Sequence, residues 1–469
     1  MPKVVLVPAP SVGPDGRMRR YLPLGLLSLR ALAGRGPAEV DLSLPGDDLT
    51  RTRYRSSAEL VADLASALPD LGGFDTVGLA TMCSSFHHTL RLAREIKSRA
   101  PDLAVWLGGP HVSVVASEAL HAFPDLIDAV FVGEGEGAFS EALARGRGGD
   151  IEGVMTRAGE LVPRPPLVDL DELPFIRLGE PELDVLRWQA TERSAPVTIP
   201  FEVARGCPGR CTFCSTRRFW GRKVRRKSLG RIIEQMRRYH DETGVRRFEI
   251  MGDNLSASLP WLRKLCAALA RDAPEMRWQA DLKLDRMSGG DLDLLWRGGC
   301  RGFFVGVESG SQATLDRVRK GVDLDREVRL IDQALHHGFE VKTSLIVGFP
   351  WETAGDVDRT FRLHCELLEK GVSQSQVWLL CPLPGTDLLT EHEPRFDRLG
   401  SRIAMDGVPL DADTREMARR HPGLFAQLGR FDAPRLAPLD VDATVATASQ
   451  LTALYARTRQ APADGVDES

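Results

Sequence analysis

In the stretch "GCPGRCTFCS", Cys207, Cys211 and Cys214 stand at offsets of 0, 4 and 7. Those offsets also describe one stripe of a buried helix, where reduced cysteine is a common occupant. Pro208 and Gly209 argue against the helix. Proline lacks an amide donor and its ring clashes with the preceding turn, and glycine carries an entropic cost in a helix interior. Three thiols on a loop are then a ligand set. A closed structural zinc site needs a fourth protein ligand, usually from a second Cys or His pair, and no paired CxxC or HxxxH lies nearby. Three thiolates on a 4Fe-4S cluster leave one iron open to a substrate or cofactor, so the missing ligand becomes a functional feature. Cys83, Cys266, Cys300, Cys365 and Cys381 are scattered singly and read as small buried hydrophobes.

The elements that must position this loop are legible on both sides of it. "KVVLVPA" (3–9), "EVDLSL" (39–44), "TVGLAT" (76–81), "AVWLGG" (104–109) and "AVFVGEGE" (129–136) alternate with helix-like stretches. That pattern is a doubly wound α/β domain with buried parallel strands over residues 1–150. Ligands of such sheets bind outside the carboxyl ends of strands, here "TMCSSF", "GGPHVS" and "GEGEGAF". Residues 151–194 are rich in Pro, Gly and charge and read as a linker. "VTIPFEVARGC" then opens a second series, continued by "RFEIMGD", "MRWQADLKLD", "GFFVGVESG", "VKTSLIVGFP" and "SQVWLLCPLPG". Six strands, each but the last followed by a helical stretch, predict a partial β/α barrel over 195–390, with chemistry at the strand C-terminal ends. The cysteines follow its first strand. Gln279, Asp281 and Lys283 alternate along the third and share one face, a candidate for polar substrate contacts. Residues 391–469 lack strand signals and read as amphipathic helices ("TREMARRHPGLFAQL", "DATVATASQLTALYARTRQ") before a polar tail.

Composition narrows the function classes. At 469 residues, with 43% hydrophobic and 27% charged residues and a formal net charge of -4, the chain predicts two or three globular domains without the basicity that advertises a nucleic-acid partner. No stretch approaches the ~18 uninterrupted apolar residues of a membrane helix, and the first residues lack the long apolar core of a signal peptide. The expected address is cytoplasmic, with no membrane partner. "RRFWGRKVRRK" (217–227) interleaves aromatics with basic residues, but reads better as a solvated charge cluster beside a functional loop, able to attract an electron donor's acidic surface.

Over roughly residues 195–390 the sequence resembles the radical S-adenosylmethionine superfamily. The three cysteines match its cluster motif, and the resemblance implies that the open iron chelates the amino and carboxylate groups of S-adenosylmethionine. Gly252, Asp253 and Asn254 end the second strand where the family has an acidic motif near the methionine amine, although Asp253-Asn254 also suits an Asx turn. "GVESGSQATLDRVRKG" (306–321) resembles the fourth-strand segment, with Glu308 and Ser309 facing the cofactor. "VGFPWET" (347–353) and "PLPGTDL" (382–388) resemble the loops that shape the adenine pocket. Phe213, Ser344 and Pro384 complete the implied cofactor-binding set.

The first domain resembles that of the cobalamin-binding subgroup, including "GGPHVS" and "GEGE". The resemblance implies a cobalamin whose nucleotide tail threads among strand ends near Ser84, Ser85, Gly108 and Gly109. A DxHxxG motif is absent, since no histidine has Asp two residues before it. That departure fits subgroup members that methylate carbon without a histidine ligand, and equally a domain that has kept the fold and lost the cofactor. His87 and His88 lie on the presumed ligand side. The implied activity is cobalamin-dependent methylation of an unactivated carbon in a small natural-product intermediate, with a flavodoxin- or ferredoxin-type reducing partner. The alternatives are a cobalamin-independent radical dehydration, rearrangement or oxidation of a polar substrate such as an aminosugar, and a non-catalytic cobalamin- or metal-responsive binding protein. No residue is singled out as the catalytic acid, base or hydrogen donor.

Overall fold

The computed structural model of the chain describes residues 1–36, 38–146, 149–395, 402–403, 406–436 and 439–460. Two compact units emerge: Met1–Pro208, Phe213–Gln235 and Cys381–Arg430 in the first, Gly209–Thr212, Met236–Leu380 and Phe431–Ser469 in the second.

The first sheet comprises β1 (Lys3–Val7), β2 (Glu39–Leu42), β3 (Thr76–Ala80), β4 (Ala104–Gly108), β5 (Ala129–Phe131) and β6 (Val154–Thr156), in the order β2-β1-β3-β4-β5-β6. Successive strand side chains point to opposite faces. Val5, Val7, Val77, Leu79, Val105, Leu107 and Val130 enter one core, and Val4, Leu6, Trp106, Ala129 and Phe131 enter another. Both faces are covered, which is why these strands read as continuous apolar runs. The order reverses between β1 and β3, so the crevice outside their carboxyl ends is the switch point where such sheets take ligands.

The stretch expected as a linker is partly ordered into this unit. It supplies β6, antiparallel to β5, and the helix Glu180–Glu192, whose first turn holds Pro181 and is capped by Glu182 accepting from the Gly179 amide at 2.7 Å. Its prolines suit a first turn and an irregular strap rather than signalling a loose tether.

The second series begins with β7 (Ile199–Glu202), β8 (Ala204–Arg205) and β9 (Arg225–Arg226), and continues with β10 (Arg247–Met251), β11 (Arg277–Asp281), β12 (Cys300–Glu308), β13 (Glu340–Val347) and β14 (Gln374–Leu379). Its main sheet runs β14-β13-β12-β11-β10-β7, with consecutive strands from β10 to β14 paired in parallel. One face is buried, as at Phe248, Trp278, Val305, Thr343 and Val377; the alternate positions stay partly open. That is the inside-outside alternation of a partial barrel.

The C-terminal region is helical as expected, with helices Ala412–Arg420 and Val441–Gln460, and short strands are added to it. Arg402–Ile403 pairs with Asp406–Pro409 as a short antiparallel ladder. The helix drawn across "TREMARRHPGLFAQL" stops at Arg420, because Pro422 cannot continue it, and a single 3-10 turn follows at Ala426–Leu428. Val408, Leu410, Ala418, Leu424, Phe425 and Leu428 join the first unit's core. Burying Phe425 completely is worth about 1.5–3 kcal/mol, and its ring lies 5.6 Å from that of Phe86. The final helix, Val441–Gln460, belongs to the second unit, where Thr452 donates to the Ser375 carbonyl. The polar tail at 461–469 lies outside the described residues. Among the described residues no helix is long and apolar enough to cross a membrane.

Candidate functional site

All three cysteines of the motif stand on the loop that leaves β8 and returns as β9. Among the described residues none of the three is in a disulfide, and all are of intermediate exposure. Gly206 has φ +96, and a Cβ there would stand 2.4 Å from the Lys223 carbonyl oxygen, so the neck of the loop demands glycine. The Cys207 amide donates to the Gly221 carbonyl at 3.3 Å. Beneath it Arg205, 3% exposed, pairs with Glu134 (2.9 Å), Glu136 (2.5 Å) and Glu202 (2.9 Å), and Arg225 pairs with Glu134 at 2.5 Å. Burial works against the Arg205 charge, but Glu202 and Glu136 outweigh it and hold the guanidinium protonated. No three His, Cys, Asp or Glu side chains converge as a single-ion site among the described residues. A 4Fe-4S cluster asks for something else, soft thiolates each on a separate iron, and three such donors stand on this loop, leaving the fourth iron open.

The open face of the barrel sheet carries the charge. Register places Glu249 beside Gln279, and Asp281 beside Phe304, which is followed by Lys342 and Gln374; Gly306, Ser344 and Gln376 form the next row. Asp281 is raised to about 6, first by burial and then by Glu249 and Asp253. Asn254 begins a 3-10 turn (Leu255–Ala257), and its side-chain oxygen accepts from the Ser256 hydroxyl at 2.9 Å, so the strand-end turn follows Gly252 directly. Lys283 lies just past β11, and its amide donates to that Ser256 hydroxyl at 2.9 Å.

At the end of β12 the register slips between Gly306 and Glu308, and Glu308 adopts φ +69, a conformation that non-glycine residues rarely hold. The slip aims its carboxylate at Lys320, 2.7 Å away. A Cβ on Gly306 would stand 2.3 Å from the Glu308 Oε1 atom, so the glycine makes room for that carboxylate. Burial opposes the Lys320 charge; Glu308 and Cys211 outweigh it and push the ammonium above its usual range. The Thr212 amide, next to Cys211, donates to the Val318 carbonyl at 3.0 Å. Glu327, 2% exposed and with no hydrogen-bond partner on either oxygen among the described residues, is raised to about 7 by burial.

At the carboxyl ends of β3 and β4 in the first sheet the groups are mostly small and neutral. Gly109 has φ +114, and a Cβ there would meet the Thr81 carbonyl at 2.7 Å. The Thr81 amide and hydroxyl both donate to the Gly108 carbonyl, at 2.8 and 2.9 Å. Met82 is 47% exposed beside this contact. Ser84 is partly exposed in the Cys83–Ser85 turn, and the buried Ser85 hydroxyl oxygen lacks a hydrogen-bond partner. Closely approached backbone, an exposed apolar side chain and a buried hydroxyl with spare capacity fit a large ring with a polar tail.

Several expectations are corrected. Ser309 does not face the barrel mouth: it is fully buried, its hydroxyl 3.3 Å from that of Thr360 and accepting from the Ser311 amide at 3.1 Å. His87 and His88 pack, the favoured reading of the two: both are 0% exposed in the first turn of the helix Phe86–Arg99, with His88 Nδ1 2.7 Å from the Ser57 hydroxyl. The basic run is only partly solvated: Arg218, Arg222 and Lys223 are exposed, but several of its charges are committed within the chain. Arg217 pairs with Asp387, Arg218 donates to the Gly385 carbonyl, Arg225 meets Glu134, and Lys227 is buried with Nζ 3.2 Å from Gln235 Oε1. Those charges hold internal segments together. Cys381 lies 3.6 Å from the Gln427 carbonyl, and burial pushes its thiol up, as expected of a core cysteine. Phe213 is partly exposed within the cysteine loop, and Pro384 precedes Gly385 (φ +75) in the loop ahead of the helix Asp387–Glu391.

Sequence reasoning missed Lys320, the Arg205–Glu134–Arg225 group, and a Cys83–His111 contact of 3.1 Å in which His111 also meets the Leu424 carbonyl at 3.0 Å. Lys320 stood inside the quoted "RVRKG" and Glu134 inside "GEGE", but nothing in either motif names its partner.

A strand-end loop with three thiols, a charged barrel face and a separate doubly wound sheet define the class as a two-cofactor α/β enzyme of the radical type. Residues 201–364 match the Radical SAM superfamily and residues 20–143 the B12 binding domain. The chain belongs to the radical SAM superfamily, in its B12-binding-domain group. It is 29% identical over 388 residues to the hopanoid C-3 methylase of Methylococcus capsulatus, covering 80% of this chain and 72% of that one. It is 26% identical over 384 residues to the cytidylyl-2-hydroxyethylphosphonate methyltransferase of Streptomyces wedmorensis, covering 74% and 71%. The fold matches the radical S-adenosylmethionine methyltransferase TsrM from Kitasatospora setae, solved with cobalamin and a 4Fe-4S cluster bound, with a TM-score of 0.68 at 19% identity over 96% of this chain and 91% of that one.

Proposed function

We propose that this protein is a cobalamin-dependent radical S-adenosylmethionine methyltransferase acting on an unactivated carbon of a small natural-product intermediate. The observation that carries the reading is the joint presence, in one chain, of a three-thiol loop after the first barrel strand and a B12-type sheet with glycine-lined strand ends. The relatives named as methyltransferases support it.

When bound, the cluster supplies a low-potential electron, S-adenosylmethionine a radical source and a methyl group, and cobalamin a methyl carrier. Cys207, Cys211 and Cys214 hold the cluster as thiolates. Lys320 lends positive charge on the Cys211 side and neutralises Glu308, whose second carboxylate oxygen can accept a hydrogen bond from a cofactor hydroxyl or ammonium. Asp253 offers an anionic partner to an ammonium, and Asp281 can hold or release a proton near neutral pH. Phe213, Gly252, Asn254, Ser344 and Pro384 shape the cofactor pocket. Gly108 and Gly109 permit close backbone approach by the corrin's tail, with Ser84 and Ser85 as its hydroxyl partners. Electrons come from a flavodoxin- or ferredoxin-type donor.

Anaerobic reconstitution followed by mass analysis of products, with and without cobalamin, tests this. A methylated product that appears only with cobalamin supports it. Deoxyadenosine with an unmethylated product would instead mark a radical lyase or oxidase.

A further inference from the structure

Residues 206–224 form a single loop between β8 and β9, and all three motif cysteines lie on it. Its neck is two residue pairs wide, Ala204 opposite Arg226 and Arg205 opposite Arg225. Two arginines, 3% and 7% exposed, therefore face each other directly, where like charges repel. Glu134 divides its carboxylate between them, Oε2 2.9 Å from Arg205 Nη1 and Oε1 2.5 Å from Arg225 Nη2. Arg205 has two further carboxylates, Glu136 and Glu202. Arg225 otherwise meets the carbonyls of Leu167 and Trp220. Among the described residues Glu134 is the carboxylate that touches both cations. It comes from the end of β5 in the B12-type domain, where the amide of the preceding Gly133 donates to the Ser113 hydroxyl at 2.9 Å.

We infer that Glu134 is a positioning residue for the cluster: it closes the neck of the cysteine loop, so that cluster assembly depends on a side chain contributed by the cobalamin-type domain. The inference rests on the proposed function. Without the shared carboxylate, Arg205 keeps Glu136 and Glu202, but the buried Arg225 is left with carbonyl partners alone opposite a second guanidinium, and the ladder that brings Gly206 against Lys223 opens. Cys207, one residue beyond Gly206, moves first.

The test is Glu134→Gln in the full-length chain, reconstituted anaerobically with iron and sulfide. Iron and sulfide per chain, the electron paramagnetic resonance signal of the reduced cluster, and cobalamin content are read separately. The expected result is loss of most of the iron with an altered signal in what remains, while cobalamin content and far-ultraviolet circular dichroism hold. A second variant, Glu134→Gln with Arg225→Leu, removes one of the facing cations and should recover iron toward the wild-type level, which general loss of packing does not produce. A Glu134→Gln protein with wild-type iron and signal overturns the inference, as does a double variant no better than the single. Wild-type protein that takes up no iron overturns the proposed function and this inference together; normal wild-type loading beside an unaffected Glu134→Gln sinks only the latter.

Discussion

The carboxyl ends of the two sheets are furnished in opposite ways. After β3 and β4 the first sheet presents Thr81, Met82, Ser84, Gly108 and Gly109, and its histidine there, His111, is lowered to about 4 by burial and so is neutral at pH 7. After β11 and β12 the barrel sheet presents Asp281, Glu308 with Lys320, and Glu327, all held at perturbed or paired charge. Both sheets follow the rule that ligands gather at strand ends. They differ in what stands there: the ends of β3 and β4 carry little charge and bring backbone close, with Glu134 and Glu136 after β5 committed to Arg205 and Arg225, whereas the barrel ends concentrate charge and force ionised groups to find partners. On the proposed reading the first suits a broad corrin and its tail, and the second a compact zwitterionic cofactor.

The largest effect that separates the two edges is expected from Cys211→Ala. Deoxyadenosine formation should vanish and iron fall, while cobalamin content persists; unchanged turnover would contradict the assignment of the thiols. Gly109→Val attacks the other edge. Its side chain would collide with the Thr81 carbonyl at a φ of +114, costing about 1–3 kcal/mol, and chemical denaturation should show that loss together with a fall in cobalamin retention larger than any fall in iron. If iron falls more than cobalamin, the division between the edges fails.

Gly306→Ala sharpens the charged edge. Its methyl group would displace the Glu308 carboxylate, and a misplaced cofactor contact can reduce turnover by roughly 10²-fold. Product assays should show this with iron content intact. The smallest effect at neutral pH concerns Glu327. Its folded value of about 7 stands above the ordinary 4.5, so the folded protein keeps a proton that the unfolded chain has released. The resulting stability is complete below about pH 4.5 and is lost as pH rises through 7, by up to about 3 kcal/mol. Glu327→Gln should flatten this fall, read as the change in Tm between pH 5 and pH 8. A wild-type Tm with no slope over that range would remove Glu327 from the charged set.

How much was legible follows from how local each feature is. The strands were readable because both faces of the first sheet are covered, making Val4 to Val7 a continuous apolar run, and because Phe248 and Ile250 alternate with Glu249 on the barrel sheet. The cysteine loop was readable because Pro208 and Gly209 break a helix regardless of context. The linker and tail were misread in part, since Val154–Thr156 is a short edge strand and Leu424 and Phe425 lie in a core assembled from residues hundreds of positions earlier.

The sequence by itself determined the ligand chemistry and the succession of strands along the chain, because thiols and alternation are properties of a residue and its immediate neighbours. Only the tertiary structure decided which charges neutralise which: that Arg217, Arg225 and Lys227 of "RRFWGRKVRRK" find partners within the chain, that Ser309 turns to Thr360, that Lys320 meets Glu308, and that Glu134 stands between two arginines. Pairing depends on distances across long chain separations, such as the 170 residues between Arg217 and Asp387, and electrostatic energy follows distance and burial, neither of which a linear pattern contains.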